Sequence, residues 1–289
     1  MKMLSARKVT FAIIALLLLC FAKPVSSYAS NSQTLHHYLV ENRSRYEAYQ
    51  YANPDMPFDI VVALVNANVD LGVYNHIQSV RNPSATNVLV NKNFALPSDY
   101  IPPDLVISNN GRQIRAKTAE QFELMQTAAR AEGHDIFIWS GYRSYPSQVG
   151  SYNSFLDRGV EWADRRSARP GHSEHQTGLT IDVSHRYDLA GGQNADGFSL
   201  TPAFRWMTEN AHYYGFILRY QQGLIDIHGY IYEPWHWRYV GVRIATAMRN
   251  EDIKTLEEYY GRYLAPEVRR KLLAERLIDS VFFANHVPM

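Results

Sequence analysis

Cysteine is almost absent from this chain of 289 residues. The single one, Cys20, lies in an apolar stretch near the N-terminus. Without that stretch the chain has no thiol, so it cannot form a disulfide, and a metal would have to be held by His, Asp or Glu. Internal repeats and long low-complexity runs are also missing, which argues against solenoids and propellers. Hydrophobic residues make up 46% and charged residues 20%, which is typical of a folded globular protein.

Long apolar runs are confined to the N-terminus. A basic start with Lys2, Arg7 and Lys8 precedes the almost wholly apolar run 9–22, and small polar residues follow it. This order is typical of a secretory signal peptide, and the run is shorter than the roughly 20 residues that a membrane span needs. We therefore predict that residues 1–29 form a signal peptide and that the protein is exported. If the segment were not cleaved, it would anchor the protein to a membrane.

No charge of one sign dominates the chain. Residues 1–29 hold four basic residues and no acidic one, so the formal charge falls from +1 to −3 without them. Nucleic-acid binding normally needs a basic surface, and we predict no nucleic-acid partner. We also predict no stable protein partner.

The hydrophobic patterns predict a mixed α+β fold, because strands and helices alternate without a regular β-α-β repeat. Predicted strands are 136–139, 179–184, 216–219 and 235–240, with runs of strand type at 59–75 and 86–91. Predicted helices are 35–49, a helix beginning at a capping box of Thr118 and Gln121, a helix that Pro146 opens, a helix that Thr201-Pro202 starts, and helical structure from Val242 onward. We divide the chain into the signal peptide, a lead-in segment (30–85), one domain (86–241) and a C-terminal helical extension (242–289).

Three short segments concentrate side chains that can do chemistry. The first is Ser-Gly-Tyr-Arg-Ser-Tyr-Pro-Ser-Gln at 140–148. The second is Ser-Glu-His-Gln-Thr-Gly-Leu-Thr-Ile-Asp at 173–182. The third is Tyr-Ile-Tyr-Glu-Pro-Trp-His-Trp-Arg-Tyr at 230–239.

In the second segment, alternation along the strand places Asp182 on a polar face, opposite the apolar side chains of Ile181 and Val183. A carboxylate on the open face of a sheet is accessible to a metal. His175 lies in the loop that leads into this strand and can fold back over the same face.

In the third segment, strict alternation would place Glu233 and His236 on opposite faces. Pro234 lies between them and cannot take part in a regular ladder, so a bend there lets both side chains reach one point. Two imidazoles and one carboxylate form the donor set of a catalytic zinc site with an open position. A carboxylate beside the metal can take and return the proton of a reacting water molecule, and Glu233 fits that role.

Other histidines are close enough in sequence to be rival ligands. They are His172, His185, His212 and His228. For these we favour roles at the surface or in supporting the ligands. We interpret most of the aromatic residues Trp235, Trp237 and Tyr239 as part of the core.

Together the motifs resemble the signatures of VanY-type D-alanyl-D-alanine carboxypeptidases, within the wider lysostaphin, D-Ala-D-Ala carboxypeptidase and hedgehog group of zinc proteins. The similarity runs from about Val88 to Gly241. It comprises Val-Asn-Lys at 90–92, Ser-Gly-Tyr-Arg-Ser at 140–144, Ser-Glu-His-Gln-Thr-Gly at 173–178 and Glu-Pro-Trp-His at 233–236. Thr180 departs from the Ala of many relatives, and His228 from their Thr, and neither change removes a catalytic group.

The resemblance implies a fold with a central antiparallel sheet that carries one zinc ion per chain on its open face and is flanked by helices. The implied zinc ligands are His175, Asp182 and His236. The implied general base is Glu233, and Arg143 is implied to stabilise the substrate carbonyl. Gln148, Ser173 and Tyr230 match positions that contact the substrate in some relatives, although ordering of loops is an alternative role for them.

The resemblance further implies a bacterial enzyme of the cell wall or periplasm that acts on peptidoglycan stem peptides. The leading hypothesis is a zinc D,D-carboxypeptidase that hydrolyses the terminal D-Ala-D-Ala bond. One alternative is an L,D-carboxypeptidase that shortens tetrapeptide stems, and another is a non-catalytic module that binds the cell wall.

Overall fold

The computed structural model describes residues 35–185 and 195–274, and the predicted signal peptide and the end of the C-terminal extension lie outside them. The α-helices are α1 (Arg43–Ala52), α2 (Phe58–Asn66), α3 (Ala116–Ala131), α4 (Tyr145–Asn153), α5 (Val160–Asp164), α6 (Ala195–Ser199), α7 (Pro202–Asn210), α8 (Ile225–His228), α9 (Val242–Asn250), α10 (Leu256–Tyr259) and α11 (Pro266–Ala274). The strands are β1 (Gln78–Ser79), β2 (Phe94–Ala95), β3 (Leu105–Ile107), β4 (Gln113–Arg115), β5 (Ile136–Ser140), β6 (Thr180–His185), β7 (Phe216–Leu218) and β8 (His236–Tyr239).

Four of these strands form the central sheet, in the order β5-β6-β8-β7. All three pairings are antiparallel. The register places Asp182 opposite His236, and Thr180 opposite Arg238. Strand β5 has an irregularity in its pairing with β6 between Ile138 and Ser140, and such irregularities commonly re-aim side chains at the edge of a site. The predicted α+β class and antiparallel sheet are confirmed.

The two faces of the sheet differ because side chains alternate along each strand. On one face, Ile181, Val183 and Trp237 belong to the main hydrophobic core, which α3 and α7 cover with Phe122 and Met207. The other face carries Thr180, Asp182, His236 and Arg238, as their register shows. The predicted split of β6 into an apolar and a polar face is therefore correct, and Trp237 and Tyr239 are core residues.

Helices from both ends of the chain pack beside the sheet. Residues of α9 and α10 form a second apolar cluster with Leu89 and Phe94. The helix α2 lies against the π-helical turn Tyr260–Leu264, where a Cβ at Gly261 would meet the carbonyl oxygen of Ala63, so only glycine permits this close approach. None of the described helices has both the length and the apolar composition that a membrane span requires.

The structure corrects three local predictions. The strand-type run at 59–75 is wrong, since α2 occupies its first part. The helix is short and buried on nearly all sides. Its apolar residues therefore do not recur with the helical period of about 3.6 that would distinguish it from a strand. Residues 86–91 form no strand. The capping box is also wrong, because α3 begins at Ala116 and Thr118 is a buried residue inside the helix. The helix starts at Pro146 and at Thr201-Pro202 are confirmed.

Candidate active site

His175, Asp182 and His236 come together at the floor of a cleft on the polar face of the sheet. One ligand atom from each of them lies within 4.8 Å of the others. The Nε2 atom of His175 is 3.3 Å from Oδ2 of Asp182, and Nδ1 of His236 is 3.5 Å from Oδ1. All three side chains are buried. Within the described parts of the chain, no other cluster of potential metal ligands of this kind occurs.

His175 is oriented by the backbone of the first motif. Its Nδ1 lies 2.7 Å from the carbonyl oxygen of Gly141, so Nδ1 donates a proton there and Nε2 remains free to bind a metal. Gly141 is required for this approach, because a Cβ would lie 2.4 Å from the carbonyl oxygen of Gln113. The Ser-Gly-Tyr-Arg segment therefore fixes a histidine that lies more than thirty residues later in the chain.

His236 is oriented by a carboxylate instead. Its Nε2 donates to Oε2 of Glu174 at 3.4 Å, which leaves Nδ1 facing Asp182 and Glu233. Burial alone lowers the pKa of His236, but hydrogen bonds with Glu174 and Glu233 and the charge of Asp182 outweigh burial and raise it to about 9. The carboxylates around His236 thus favour positive charge at this point of the cleft.

These residues fit a divalent metal ion. The Oδ1 atom of Asp182 is buried and has no hydrogen-bond partner among the described residues, so it can serve as a ligand without breaking a hydrogen bond. Each histidine directs one ring nitrogen at Asp182, while its other nitrogen bonds to a carbonyl or carboxylate oxygen outside the cluster. Two imidazoles and one carboxylate are the donors of a catalytic zinc site.

Glu233 lies beside this cluster. Its Oε2 is 3.4 Å from Nδ1 of His236. The turn at Pro234 begins with Glu233, whose carbonyl oxygen accepts from the amide of His236 at 3.1 Å. The predicted bend at Pro234 does bring both side chains to one point. A carboxylate at this position can exchange a proton with a water molecule held at the cluster.

Arg143 also lines the cleft and is half-buried, and its backbone amide donates to the carbonyl oxygen of His175 at 3.1 Å. Its guanidinium donates to Oε1 of Gln148 at 3.0 Å and to Oγ of Ser140 at 3.4 Å. Gln148 in turn donates to the carbonyl oxygen of Ala168 at 2.7 Å and to Oγ of Ser167 at 3.2 Å. The amide oxygen and nitrogen of Gln148 are therefore both engaged in holding Arg143 against the segment before the second motif. A substrate contact by Gln148 stays a prediction.

The cleft has a volume of about 590 Å3, and each of the eight predicted site residues contributes to its lining. Ser173 and Tyr230 are buried residues of its wall. The ring of Tyr220 lies between those of Tyr230 and His236, with ring centroids 4.5 Å from each. Substrate contacts of Ser173 and Tyr230 stay predictions.

Behind the candidate metal ligands lies a set of four charged residues, which we call the buried ionic network. Its members are Glu174, Arg219, Arg238 and Glu257. The Oε1 atom of Glu174 accepts from Arg219 at 2.9 Å and from Arg238 at 2.7 Å. Arg219 also donates two hydrogen bonds to Glu257, at 2.9 and 2.7 Å. The two positive and two negative charges balance, which is what allows them to be buried.

The network joins the start of the domain and the C-terminal helical part of the chain to the site. Arg238 donates to the carbonyl oxygens of Thr86 and Val88, which lie where the lead-in segment meets the domain. Glu257 belongs to α10 in the C-terminal helical part and also accepts from Asn91 of the Val-Asn-Lys motif. Helices outside the resembling region therefore help to hold the carboxylate that orients His236.

The rival histidines for which side chains are described do not join the cluster. His172 contacts the carbonyl oxygen of Asn91 at 2.8 Å, and His228 contacts that of Gln221 at 3.3 Å. His212 packs on the ring of Tyr213. The side chain of His185 is not among those that the structure describes.

Sequence reasoning missed Glu174, Arg219 and Glu257. The sequence did contain a signal for Glu174. This acidic residue lies directly between Ser173 and His175, in a loop that we expected to contact a metal. Arg219 and Glu257 gave no local signal, because their partners lie 45 and 38 residues away along the chain.

Comparison with known proteins agrees with this architecture. The VanY family, described as D-alanyl-D-alanine carboxypeptidase, matches residues 111–242. A Bacillus subtilis protein named as a carboxypeptidase, YodJ, is 39% identical over 207 residues, which cover 66% of this chain and 72% of YodJ. The chain belongs to the VanY family of carboxypeptidases and is a peptidase.

Solved structures of relatives fall into two groups. The LD-carboxypeptidase LdcB is 38% identical with a TM-score of 0.60, and the match covers 64% of this chain and 90% of LdcB. A mutant of the vancomycin resistance D,D-pentapeptidase VanY, in complex with Zn(II), is 31% identical with a TM-score of 0.51 and matches 60% of this chain and 98% of that protein. Both likenesses extend over nearly the whole of the related chain.

Proposed function

We propose that this protein is a zinc-dependent carboxypeptidase that removes the C-terminal D-alanine from peptidoglycan stem peptides. One observation carries the proposal: Glu233 stands beside His175, Asp182 and His236 in a cleft whose lining also includes Arg143. The zinc complex of a VanY relative supports the choice of metal.

The residues of the chain divide the chemistry between them. Zinc, when held by His175, Asp182 and His236, supplies a Lewis acid that activates water and polarises the scissile carbonyl. The Glu233 carboxylate accepts a proton from the attacking water and returns it to the amine nitrogen of the departing alanine. The proton stays in the cleft throughout, because Glu233 is buried at its floor.

Arg143 stabilises the negative charge that grows on the carbonyl oxygen during attack. A fixed cation lowers the barrier only if it interacts more strongly with the transition state than with the ground state. Gln148 holds the Arg143 guanidinium in place through a neutral hydrogen bond at 3.0 Å, so the positive charge of Arg143 is not cancelled by its own support.

The proposal has two forms, which differ in the penultimate residue of the substrate. A D,D-carboxypeptidase acts on stems that end in D-Ala-D-Ala, which is our first proposal from the motifs and agrees with the D,D-pentapeptidase likeness. An L,D-carboxypeptidase acts on the shorter tetrapeptide. The likeness to LdcB, at 38% identity against 31%, is the observation that favours this second candidate.

Mass spectrometry of reaction products tests both candidates. The zinc-loaded protein is incubated with purified pentapeptide and tetrapeptide muropeptides, and Glu233→Gln, which keeps the shape of the side chain, is the matched control. Loss of one alanine from the pentapeptide alone would establish the D,D activity. Loss from the tetrapeptide alone would establish the L,D activity. If the wild type released no alanine from either peptide while zinc was bound, the proposal would be wrong and a binding module would take its place.

We also propose that the enzyme works outside the cytoplasm, where its substrate is found, after cleavage of residues 1–29. N-terminal sequencing of the protein recovered from its host tests this. A mature chain that begins at Ser30 is expected, whereas a chain that still begins at Met1 would support a membrane anchor.

A further inference from the structure

A cluster of arginine and aromatic side chains borders the cleft on the side of α4 and α5. We call it the arginine rim, and it consists of Phe155, Arg158, Trp162 and Arg166. The guanidinium carbon atoms of Arg158 and Arg166 lie 4.6 and 4.2 Å from the ring centroid of Trp162. The ring of Phe155 lies 5.6 Å from that of Trp162. One tryptophan therefore supports two arginines.

The two arginines of the rim differ in what they face. Arg166 is half-buried and lines the cleft together with Phe155, whereas Arg158 is exposed and lies outside the cleft lining. Arg166 comes directly before Ser167 and Ala168, the two residues that hold Gln148 and, through it, Arg143. The backbone around Arg166 is fixed on its other side as well, since the amide of Ile231 donates to the carbonyl oxygen of Arg165 at 3.0 Å.

The Arg166 guanidinium makes no salt bridge within residues 35–185 and 195–274. Most other arginines near the cleft are paired: Arg169 binds Asp164 at 2.8 Å, and Arg219 and Arg238 belong to the buried ionic network. Arg166 instead rests on Trp162, and a guanidinium stacked on a ring keeps its hydrogen-bond donors free at its edge. These donors form a planar fork that matches a carboxylate.

The balance of charges in the cleft lining indicates that the substrate carries more than one anionic group. Glu174 is neutralised within the network, and His175 and His236 are neutral when they act as metal ligands, so the charged side chains of the lining that remain are Arg143, Arg166, Asp182 and Glu233. The two arginines balance the two carboxylates, and a divalent ion would add two uncompensated positive charges. The terminal carboxylate of a peptide balances one of them. A second carboxylate on the substrate would balance the other.

We propose that Arg166 binds a free carboxylate of the stem peptide that lies upstream of the scissile bond. This inference rests on the proposed carboxypeptidase function and names a determinant of its substrate choice. Two positions of a stem peptide can supply such a group. They are the side chain of a third residue that is a diamino diacid, and the α-carboxylate of a γ-linked glutamate at the second position. Amidation removes the negative charge from either one.

Synthetic peptides distinguish these sources. The series is L-Ala-γ-D-Glu-meso-diaminopimelyl-D-Ala with and without a further D-Ala, each with both carboxylates free, with either one amidated, or with both amidated. The enzymes are the zinc-loaded wild type, Arg166→Gln and the matched control Arg158→Gln. Arg158→Gln removes the same charge from the same tryptophan without changing the cleft lining. Both kcat/KM and, in a Glu233→Gln background, the dissociation constant by calorimetry are measured.

Wild-type kcat/KM is expected to fall by about 10- to 100-fold when the recognised carboxylate is amidated, which corresponds to the loss of a hydrogen-bonded ion pair. Arg166→Gln should lower kcat/KM by a similar factor for the free-carboxylate peptide, leave the fully amidated peptide unchanged, and act mainly through KM. Arg158→Gln should show less than a twofold effect.

Three results would overturn the inference. They are equal turnover of free and amidated peptides by the wild type, an equal loss with all peptides in Arg166→Gln, and equal effects of the two arginine substitutions. Failure of the proposed function looks different, since no peptide would then be hydrolysed. In that case calorimetry still decides whether Arg166 prefers the free carboxylate.

Discussion

Arginine occurs in two contrasting settings around the cleft. In the buried ionic network, Arg219 and Arg238 are almost completely shielded from solvent and their charges are neutralised by Glu174 and Glu257. In the arginine rim, Arg158 and Arg166 rest on Trp162 and form no salt bridge with any described carboxylate. Arginine therefore stabilises the buried interior in the network, whereas in the rim its guanidinium is accessible to a ligand.

The difference indicates how this fold separates chemistry from substrate choice. The network holds one metal ligand through a chain of charged hydrogen bonds, so substitutions there should act on metal binding and stability. The rim lies at the cleft wall beyond the ligands, so substitutions there should act on the preference among substrates. Arg143 combines both settings, because Gln148 holds it firmly and yet leaves its charge available.

Arg143→Gln is the substitution that should lower activity most among those that distinguish the two settings. It removes the cation that stabilises the growing oxyanion, and losses of about 100- to 1,000-fold in kcat are typical for such a donor. Zinc content, measured by atomic absorption, should not change. Arg112→Gln, on the far side of Trp139, is the control. A loss of zinc in Arg143→Gln would show instead that Arg143 supports the metal site.

Glu174→Gln should weaken zinc binding by about 10- to 100-fold, because partners of metal-binding histidines contribute on that scale. Competition with a chromophoric chelator measures the affinity. Thr180→Val is the matched control, since its hydroxyl only touches Glu174, at 3.5 Å. If Glu174→Gln does not fold, Glu174→Asp keeps the charge and shortens the reach to His236. Unchanged zinc affinity in a folded variant would break the proposed link between the network and the metal site.

The pH dependence of stability should separate two neighbouring glutamates. Burial alone raises the pKa of Glu257, but the charge and hydrogen bonds of Arg219 outweigh burial and lower it below its ordinary value of 4.5. Its stabilising contribution is therefore present above pH 4.5 and is lost as the pH falls through the lowered pKa. Burial raises the pKa of Glu258, so its ionisation destabilises the folded state as the pH rises from 4.5.

Urea unfolding of Glu257→Gln and Glu258→Gln between pH 3 and 7 tests these opposite signs. Glu257→Gln should be destabilised by about 3 to 5 kcal/mol at neutral pH, because Arg219 loses a buried partner, and the deficit should shrink as the pH falls. Glu258→Gln should gain relative to the wild type as the pH rises. Parallel curves for the two variants would contradict both assignments.

Trp162→Leu should have the smallest effect. Loss of the stacked ring frees the Arg166 guanidinium to move but leaves its charge in place, and a cation–π contact at a partly exposed site contributes about 0.5–1 kcal/mol. We expect a drop in kcat/KM of less than tenfold, confined to peptides with free carboxylates. The fully amidated peptide is the internal control. An equal loss on both peptides would show that Trp162 shapes the cleft as a whole.

The sequence was sufficient to predict which face of the sheet is polar and which residues meet on it. Asp182 alternates with Ile181 and Val183, and Pro234 marks the bend that brings Glu233 to His236. Both signals depend on residues that are adjacent in the chain. The helix α2 was missed for the opposite reason, since its apolar residues are buried on most sides and show no face.

The supports of the site were beyond sequence reasoning because they are long-range. Nothing near Arg219 in the chain indicates that it binds Glu174 and Glu257 at once. The capping box at Thr118 was wrong for another reason, because β4 ends at Arg115 and the helix begins directly after it, two residues before Thr118. The assignment of residues 30–85 and 242–289 as separate segments stays a prediction, although Glu257 of the second segment belongs to the network.

The position of Glu257 has a consequence for the order of events during biosynthesis. This carboxylate follows His175 by about eighty residues and His236 by about twenty. A nascent chain that has emerged only as far as β8 already holds every metal ligand, but Arg219 still lacks the partner that permits its burial. We expect the network to close only after α10 has docked, so that a chain shortened before Glu257 would hold His236 less firmly. Completion of the candidate metal site is thereby expected to follow the synthesis of α10.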